Sequence, residues 1–146
     1  MVLTRLFILS LFCSVIAYGL SLPAAAGTRI NFKATPVDLN KDDPSLRQIG
    51  SLIYRGGLIV TSDHNRFGGL SALSASKDRQ HFTAIGDRGT RIDGTLLYNK
   101  KGDLEDLSDL DLIELSGIGG KDFRTGYDGG SESIARLPNG KLLISF

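Results

Sequence analysis

Three features of the sequence predict an all-β fold. Eighteen of the 146 residues are glycine and only four are proline, against a usual glycine share of ~7%; tight turns should therefore be frequent without a low-complexity linker. Short β-prone runs recur between polar or glycine-containing turns. No stretch sustains helical periodicity over about 11 residues. The length allows one ordinary domain, since domains typically run about 100–200 residues. A chain that is 41% hydrophobic and 23% charged is globular in composition and not disordered. The formal net charge of +1 provides no basic stripe to displace phosphate counterions, so no nucleic-acid partner is expected.

The chain opens with one positive charge at Arg5, continues through the apolar residues 6–20 (LFILSLFCSVIAYGL), and passes Pro23 into Ala24, Ala25 and Ala26. A basic start, an apolar centre and an Ala-x-Ala-like exit are the three parts of a secretory signal peptide. The apolar run falls short of the ~20 residues that span a bilayer. Residues 1–26 are therefore expected to be a signal peptide cleaved near Ala26, leaving a periplasmic or secreted protein with no membrane span. The single cysteine, Cys13, lies inside this segment behind the bulky Phe12, the wrong neighbour for a lipoprotein site. Residues 27–146 then carry neither disulfide nor thiol chemistry, which fits a bacterial periplasm better than a disulfide-stapled scaffold.

Residues 27–46 read as a polar surface lead-in with one short strand around 29–33, and residues 47–146 as a partial β domain. Gln48 to Arg55 and Leu58 to Thr61 are β-prone runs separated by Gly56 and Gly57, a hairpin or a bulge. Leu70 to Ser74 and His81 to Gly86 follow, joined by the polar turn Ser76-Lys77-Asp78-Arg79. Thr95 to Tyr98 is expected to pair with Leu110 to Leu115 across Asn99-Lys100-Lys101-Gly102-Asp103. Residues 104–115 have leucines spaced for one or two helical turns, yet their second half alternates like a strand. Ser133 to Leu137 and Leu142 to Phe146 flank Pro138-Asn139-Gly140, whose Asn-Gly pair favours a tight hairpin.

Such strands leave sandwich, barrel or propeller. The strand–turn–strand unit at residues 70–86 recurs at 133–146, about 60 residues on, longer than the ~40–50 of common propeller blades. The expectation is a β-propeller-like fold, here an incomplete N-terminal fragment of two to three blades that stops inside an apolar run at Phe146.

Most catalytic signatures are absent. There is no Gly-x-Ser-x-Gly elbow, no phosphate-binding loop ending in Gly-Lys-Ser/Thr and no His-Glu-x-x-His zinc pair. His64 and His81 are unpaired in sequence. Three places hold oxygen or guanidinium chemistry. Gly86-Asp87-Arg88-Gly89 ends a strand, where Asp87 suits a hard cation and Arg88 a phosphate or carboxylate; a glycine-framed turn with an internal Asp–Arg contact explains the same residues. Asp122 and Tyr127-Asp128-Gly129-Gly130-Ser131-Glu132 carry three carboxylates suited to Ca²⁺, without the spacing of an EF-hand, or form a solvated loop. The acidic run from Asp103 to Asp111 is interleaved with leucines and reads as a solvated face.

Arg66-Phe67-Gly68-Gly69-Leu70-Ser71-Ala72-Leu73, followed by Phe82-Thr83-Ala84-Ile85-Gly86-Asp87-Arg88-Gly89, resembles the opening of the "esterase-like activity of phytase" family of exported bacterial proteins with a phytase-like, propeller-type domain. Residues 131–146 are similar to that family's Asp-x-Glu-Gly-Ile-Ala segment and the hairpin that follows. The resemblance runs from about Gly50 to Phe146 and covers the first part of a family domain. Two positions depart: Gly130 stands where the family has Asp, and Ser133 where it has Gly, with Asp128 two residues away as the substitute carboxylate. The resemblance implies an exported hydrolase of phosphate or carboxylic esters with a small-molecule ester or phosphoester substrate. It further implies Ca²⁺-assisted chemistry, in which the metal polarises the ester and positions water. Asp87, Asp128 and Glu132 would then be ligands or supporting carboxylates, and Arg88 an oxyanion or phosphate clamp. The alternative is a non-catalytic propeller module binding a small ligand or an envelope protein.

Overall fold

The structure is a computed structural model that describes residues 27–120, Phe123 and residues 130–146. The expected signal peptide, residues 1–26, lies outside the described residues. Among those described, the regular structure is all β apart from one short 3-10 turn at Ile118–Gly120, and no helix is long and apolar enough to cross a membrane.

The chain builds β1 (Thr28–Arg29), β2 (Lys33–Pro36), β3 (Gln48–Ile49), β4 (Leu52–Ile53), β5 (Leu58–Thr61), β6 (Leu70–Ala75), β7 (His81–Gly86), β8 (Thr90–Tyr98), β9 (Leu104–Glu114), β10 (Ser133–Arg136) and β11 (Leu142–Ser145). One antiparallel sheet of five strands has the order β1-β9-β8-β7-β6. Three two-stranded ladders, β2–β5, β3–β4 and β10–β11, stand beside it. The sheets are open.

Side chains close the turns. The Asp78 carboxylate accepts the Gln80 amide at 2.9 Å between β6 and β7. The Asn99 side-chain oxygen accepts the amides of Lys101 and Asp103, at 2.9 and 3.1 Å, between β8 and β9. The expected Asn-Gly hairpin joins β10 to β11: the Gly140 amide donates to the Leu137 carbonyl at 2.9 Å, and Asn139 accepts the Lys141 amide at 3.1 Å.

The core lies on one face of the large sheet. Phe82 and Ala84 of β7, Ile92 of β8, and Leu107, Leu110 and Leu112 of β9 are buried together with Ile30. Leu58 and Val60 of β5 pack on them from the facing ladder, with Phe67 at the side.

Two expectations are corrected. The strand expected around residues 29–33 is two strands with different partners: β1 joins β9, and β2 joins β5. Ile30 between them drops into the core at 5% exposure, so its burial ends one ladder before the next begins. The turn expected after Tyr98 is present, but Thr95 pairs with Ser108 and Tyr98 with Leu104, while Leu112 and Ile113 sit opposite Ile92 and Arg91. Both strands run longer than the sequence pattern shows, because the asparagine-closed turn leads directly into residue 104. Residues 104–114 are strand throughout.

Candidate functional site at the turn between β7 and β8

β7 is the central strand of the β6–β8 meander, and Phe82 through Gly86 are buried. Its outer face is covered as well: the Arg136 guanidinium of β10 donates to the Thr83 hydroxyl at 3.3 Å. The strand stops where Gly89, at φ 64°, turns its amide back onto the Gly86 carbonyl at 3.1 Å. Gly86 has no room for a side chain, since a Cβ there would lie 2.8 Å from both the Gly68 carbonyl and the Thr90 hydroxyl. The turn is thus pressed beneath residues 68–69. The Asp87 amide donates to the Gly69 carbonyl at 2.9 Å. Gly69 has φ +58°, and a Cβ on it would sit 3.0 Å from the Asp87 carboxylate. Only glycine meets both demands cheaply.

Asp87 and Arg88 are both exposed, and their main chain is held from below by Arg66. This arginine is 7% exposed. Its Nη2 donates to the carbonyls of Arg88 and Gly89, at 2.6 and 3.3 Å, and its Nη1 lies 3.0 Å from the Glu114 carboxylate. The Gly89 carbonyl also accepts the Leu115 amide at 2.9 Å, joining the turn to the end of β9. The grip is reciprocal, because Arg88 Nη1 donates to the Asn65 carbonyl. Two buried polar atoms beside this clasp, Arg66 Nε and Thr90 Oγ1, have no hydrogen-bond partner among the described residues.

Of the residues singled out from sequence, Asp87 and Arg88 share this rim. Glu132 is exposed, and its amide donates to the Ser145 carbonyl at 3.0 Å, opening the β10–β11 ladder. The residue before it, Ser131, is 1% exposed and hydrogen-bonded to the Ser71 hydroxyl at 2.8 Å. That bond ties the start of β10 to β6, two residues beyond Gly69. Asp122, Tyr127 and Asp128 lie outside the described residues. Among those described, no three His, Cys, Asp or Glu side chains converge as a metal site would require. Asp87 and Glu132 alone do not make the six- to eight-oxygen shell that Ca²⁺ takes.

Sequence alone gives no role to Arg66 or Ser131. Arg66 precedes Phe67-Gly68-Gly69, a weak sign of a turn packed against something. Ser131 carries no signal that separates it from a loop serine.

A family model described as "Phytase-like: Esterase-like activity of phytase" matches residues 65–146, the C-terminal part of the chain and more than half of it. The match starts at Asn65, later than the expected Gly50, and takes in Arg66, the turn of Asp87 and Arg88, and Glu132. No curated protein and no solved structure matches the chain.

Proposed function

Because the chain belongs to the esterase-like activity of phytase family, we propose that it is a hydrolase of phosphate or carboxylic esters whose substrate meets it at the turn carrying Asp87 and Arg88. The observation that carries this reading is the contrast within that turn. Its main chain is fixed by the Gly69 carbonyl and the Arg66 guanidinium, while its two charged side chains face solvent. A main chain held in this way at an open rim suits catalysis, because it limits how far the two charged side chains must reorganise when charge develops on the substrate.

In this proposal the outer nitrogens of Arg88, beyond the Nη1 spent on Asn65, hold an anionic oxygen of the ester. The Asp87 carboxylate orients a water and accepts its proton as the water oxygen bonds to phosphorus or to the acyl carbon; the ester P–O or acyl C–O bond then breaks, and the alcohol leaves with a proton taken from solvent. A propeller-like architecture is supported by β6, β7, β8 and β9, four consecutive strands paired as an antiparallel meander, the form of one propeller blade. The leader-like residues 1–26 support export, with the small ester met outside the cytoplasm.

A binding module is the second reading, favoured by the hydrogen bond that already occupies one edge of Arg88. The full chain, assayed on an aryl phosphate and an aryl acetate, separates the two. Asp87→Asn should lower kcat/KM on the preferred ester at least about tenfold, equal to roughly 1.4 kcal/mol of transition-state stabilisation, with the circular dichroism spectrum unchanged. Turnover in the variant equal to wild type on both esters overturns the hydrolase assignment of this turn.

A further inference from the structure

The loop between β2 and β5 carries a finger, the β3–β4 hairpin, whose six residues are all exposed. Three are large and apolar: Ile49 is 60% exposed, Leu52 75% and Ile53 64%. Gly50, at φ 58°, makes the turn at the tip. The base is rigid. The Tyr54 amide donates to the Arg47 carbonyl at 2.8 Å, the Arg47 guanidinium stacks 5.2 Å from the Tyr54 ring centre, and the Tyr54 hydroxyl donates to the Val37 carbonyl.

Cations gather at that base. Arg47 and Arg55 lie 3.4 and 3.3 Å from the Asp103 carboxylate, whose side chain is 17% exposed beneath them. Arg55 also donates to the Lys101 carbonyl at 2.9 Å, which brings exposed Lys100 and Lys101 to the same end. Asp38 and Glu105 line the neighbouring clefts, so four cations face three carboxylates, one of them shielded.

We propose that this finger is a membrane-surface anchor: Ile49, Leu52 and Ile53 enter the interfacial layer of an anionic bilayer while Arg47, Arg55, Lys100 and Lys101 meet lipid phosphates. Its size selects the occupant. A stable protein–protein contact takes about 20–30 residues a side, far more than this knob presents. A bilayer interface accepts a narrow apolar wedge with flanking cations. The finger precedes the family match at residues 65–146, so the inference stands apart from the hydrolase reading.

The test reads position 52 itself, because residues 6–20 are apolar and would draw the whole chain to lipid. In the full chain with Cys13→Ser, an environment-sensitive dye is placed on Leu52→Cys, or on Lys77→Cys as the control in the exposed turn between β6 and β7. Vesicles of phosphatidylcholine with and without phosphatidylglycerol are the probe. Expected is a blue shift at position 52 that needs phosphatidylglycerol, is quenched from within the lipid and is absent at position 77. Lys100→Glu with Lys101→Glu should then weaken the half-saturating lipid concentration at least about fivefold. No shift at position 52, or one indifferent to phosphatidylglycerol and to the charge changes, overturns the proposal. A shift that follows protein concentration without lipid also overturns it, and makes the finger a contact between copies.

Discussion

Arg66 places a charge where water scarcely reaches, and its neighbours show what that charge is for. Glu114, its ion-pair partner, has a side chain 60% exposed, so the pair itself is screened and contributes under about 1 kcal/mol. The larger share comes from the hydrogen bonds to the Arg88 and Gly89 carbonyls, since bonds from a charged donor are each worth about 1.5–3 kcal/mol. Arg66→Met should therefore lower unfolding stability by about 2 kcal/mol or more in urea titration. Arg66→Lys should recover part of it, because an ammonium cannot span two carbonyls and a carboxylate as the guanidinium fork does. Glu114→Gln should cost least. If Glu114→Gln proved as damaging as Arg66→Met, the charge pair rather than the carbonyl clasp would hold the turn. This arginine also marks the limit of what the sequence discloses about the site. Asp87 and Arg88 stand out because glycines frame them at the end of an apolar strand. A buried arginine reads like any surface arginine until the Arg88 carbonyl is seen against it, and Ser131 needs Ser71 beside it to acquire meaning.

β9 shows why one element looked ambiguous. Leu104, Leu107 and Leu110 are spaced like a helix face, yet all of residues 104–114 are strand. The reason is two register shifts: Asp93 pairs with Asp111 and Thr95 with Ser108, and Leu97 pairs with Asp106 and Tyr98 with Leu104, so β9 has one residue more than β8 over each step. Asp109 takes the left-handed conformation at φ 57°, which resets the alternation and lets Leu107 and Leu110 both face the core. A three-residue interval therefore means a bulge here and a helical turn elsewhere, and spacing alone does not distinguish them. The hairpins at residues 70–86 and 133–146 were legible because their polar turns carry their own chemistry. Asp109→Val should cost about 1–2 kcal/mol relative to Asp109→Asn, since a β-branched residue resists the left-handed region that Asn tolerates. That difference should not depend on pH. The difference between wild type and Asp109→Asn should. Hydrogen bonds from Arg29, then from Ser108, hold the Asp109 carboxyl below the ordinary carboxylate range. Stabilisation from a lowered carboxyl is fully present above the unfolded value of about 3.9 and is lost as pH falls through the lower folded value. Wild type and Asp109→Asn should thus converge in melting temperature below about pH 3.9. A gap that persists unchanged at lower pH would remove Arg29 as its source.

At the scale of the whole molecule, the open sheets leave apolar side chains in water. Leu73 on β6 is 71% exposed, Leu143 on β11 60% and Ile59 on β5 57%. β6 is the last strand of the five-stranded sheet, and among the described residues no ladder continues beyond it, although β10 lies against it through the Ser71–Ser131 bond. An edge without a ladder that carries an exposed leucine is a template for another strand. The net charge of +1 adds almost no repulsion between copies. Together these predict that the chain self-associates and binds hydrophobic dye. Substituting Leu73→Lys with Leu143→Lys should weaken both, because a lysine at an edge opposes pairing and two added charges raise the repulsion. Substitutions at such exposed sites change folding stability by only about 0.5 kcal/mol, so the melting curve should barely move while the assembly does. Sedimentation velocity across a concentration series separates the two quantities. The wild-type chain should sediment faster as concentration rises, and the double variant should do so less steeply. Both carry the same apolar residues 6–20, so any association driven by that segment would appear equally in the two. A wild-type chain that stays monomeric at every concentration and binds no dye would mean that these faces are covered in solution by something the open sheets do not display.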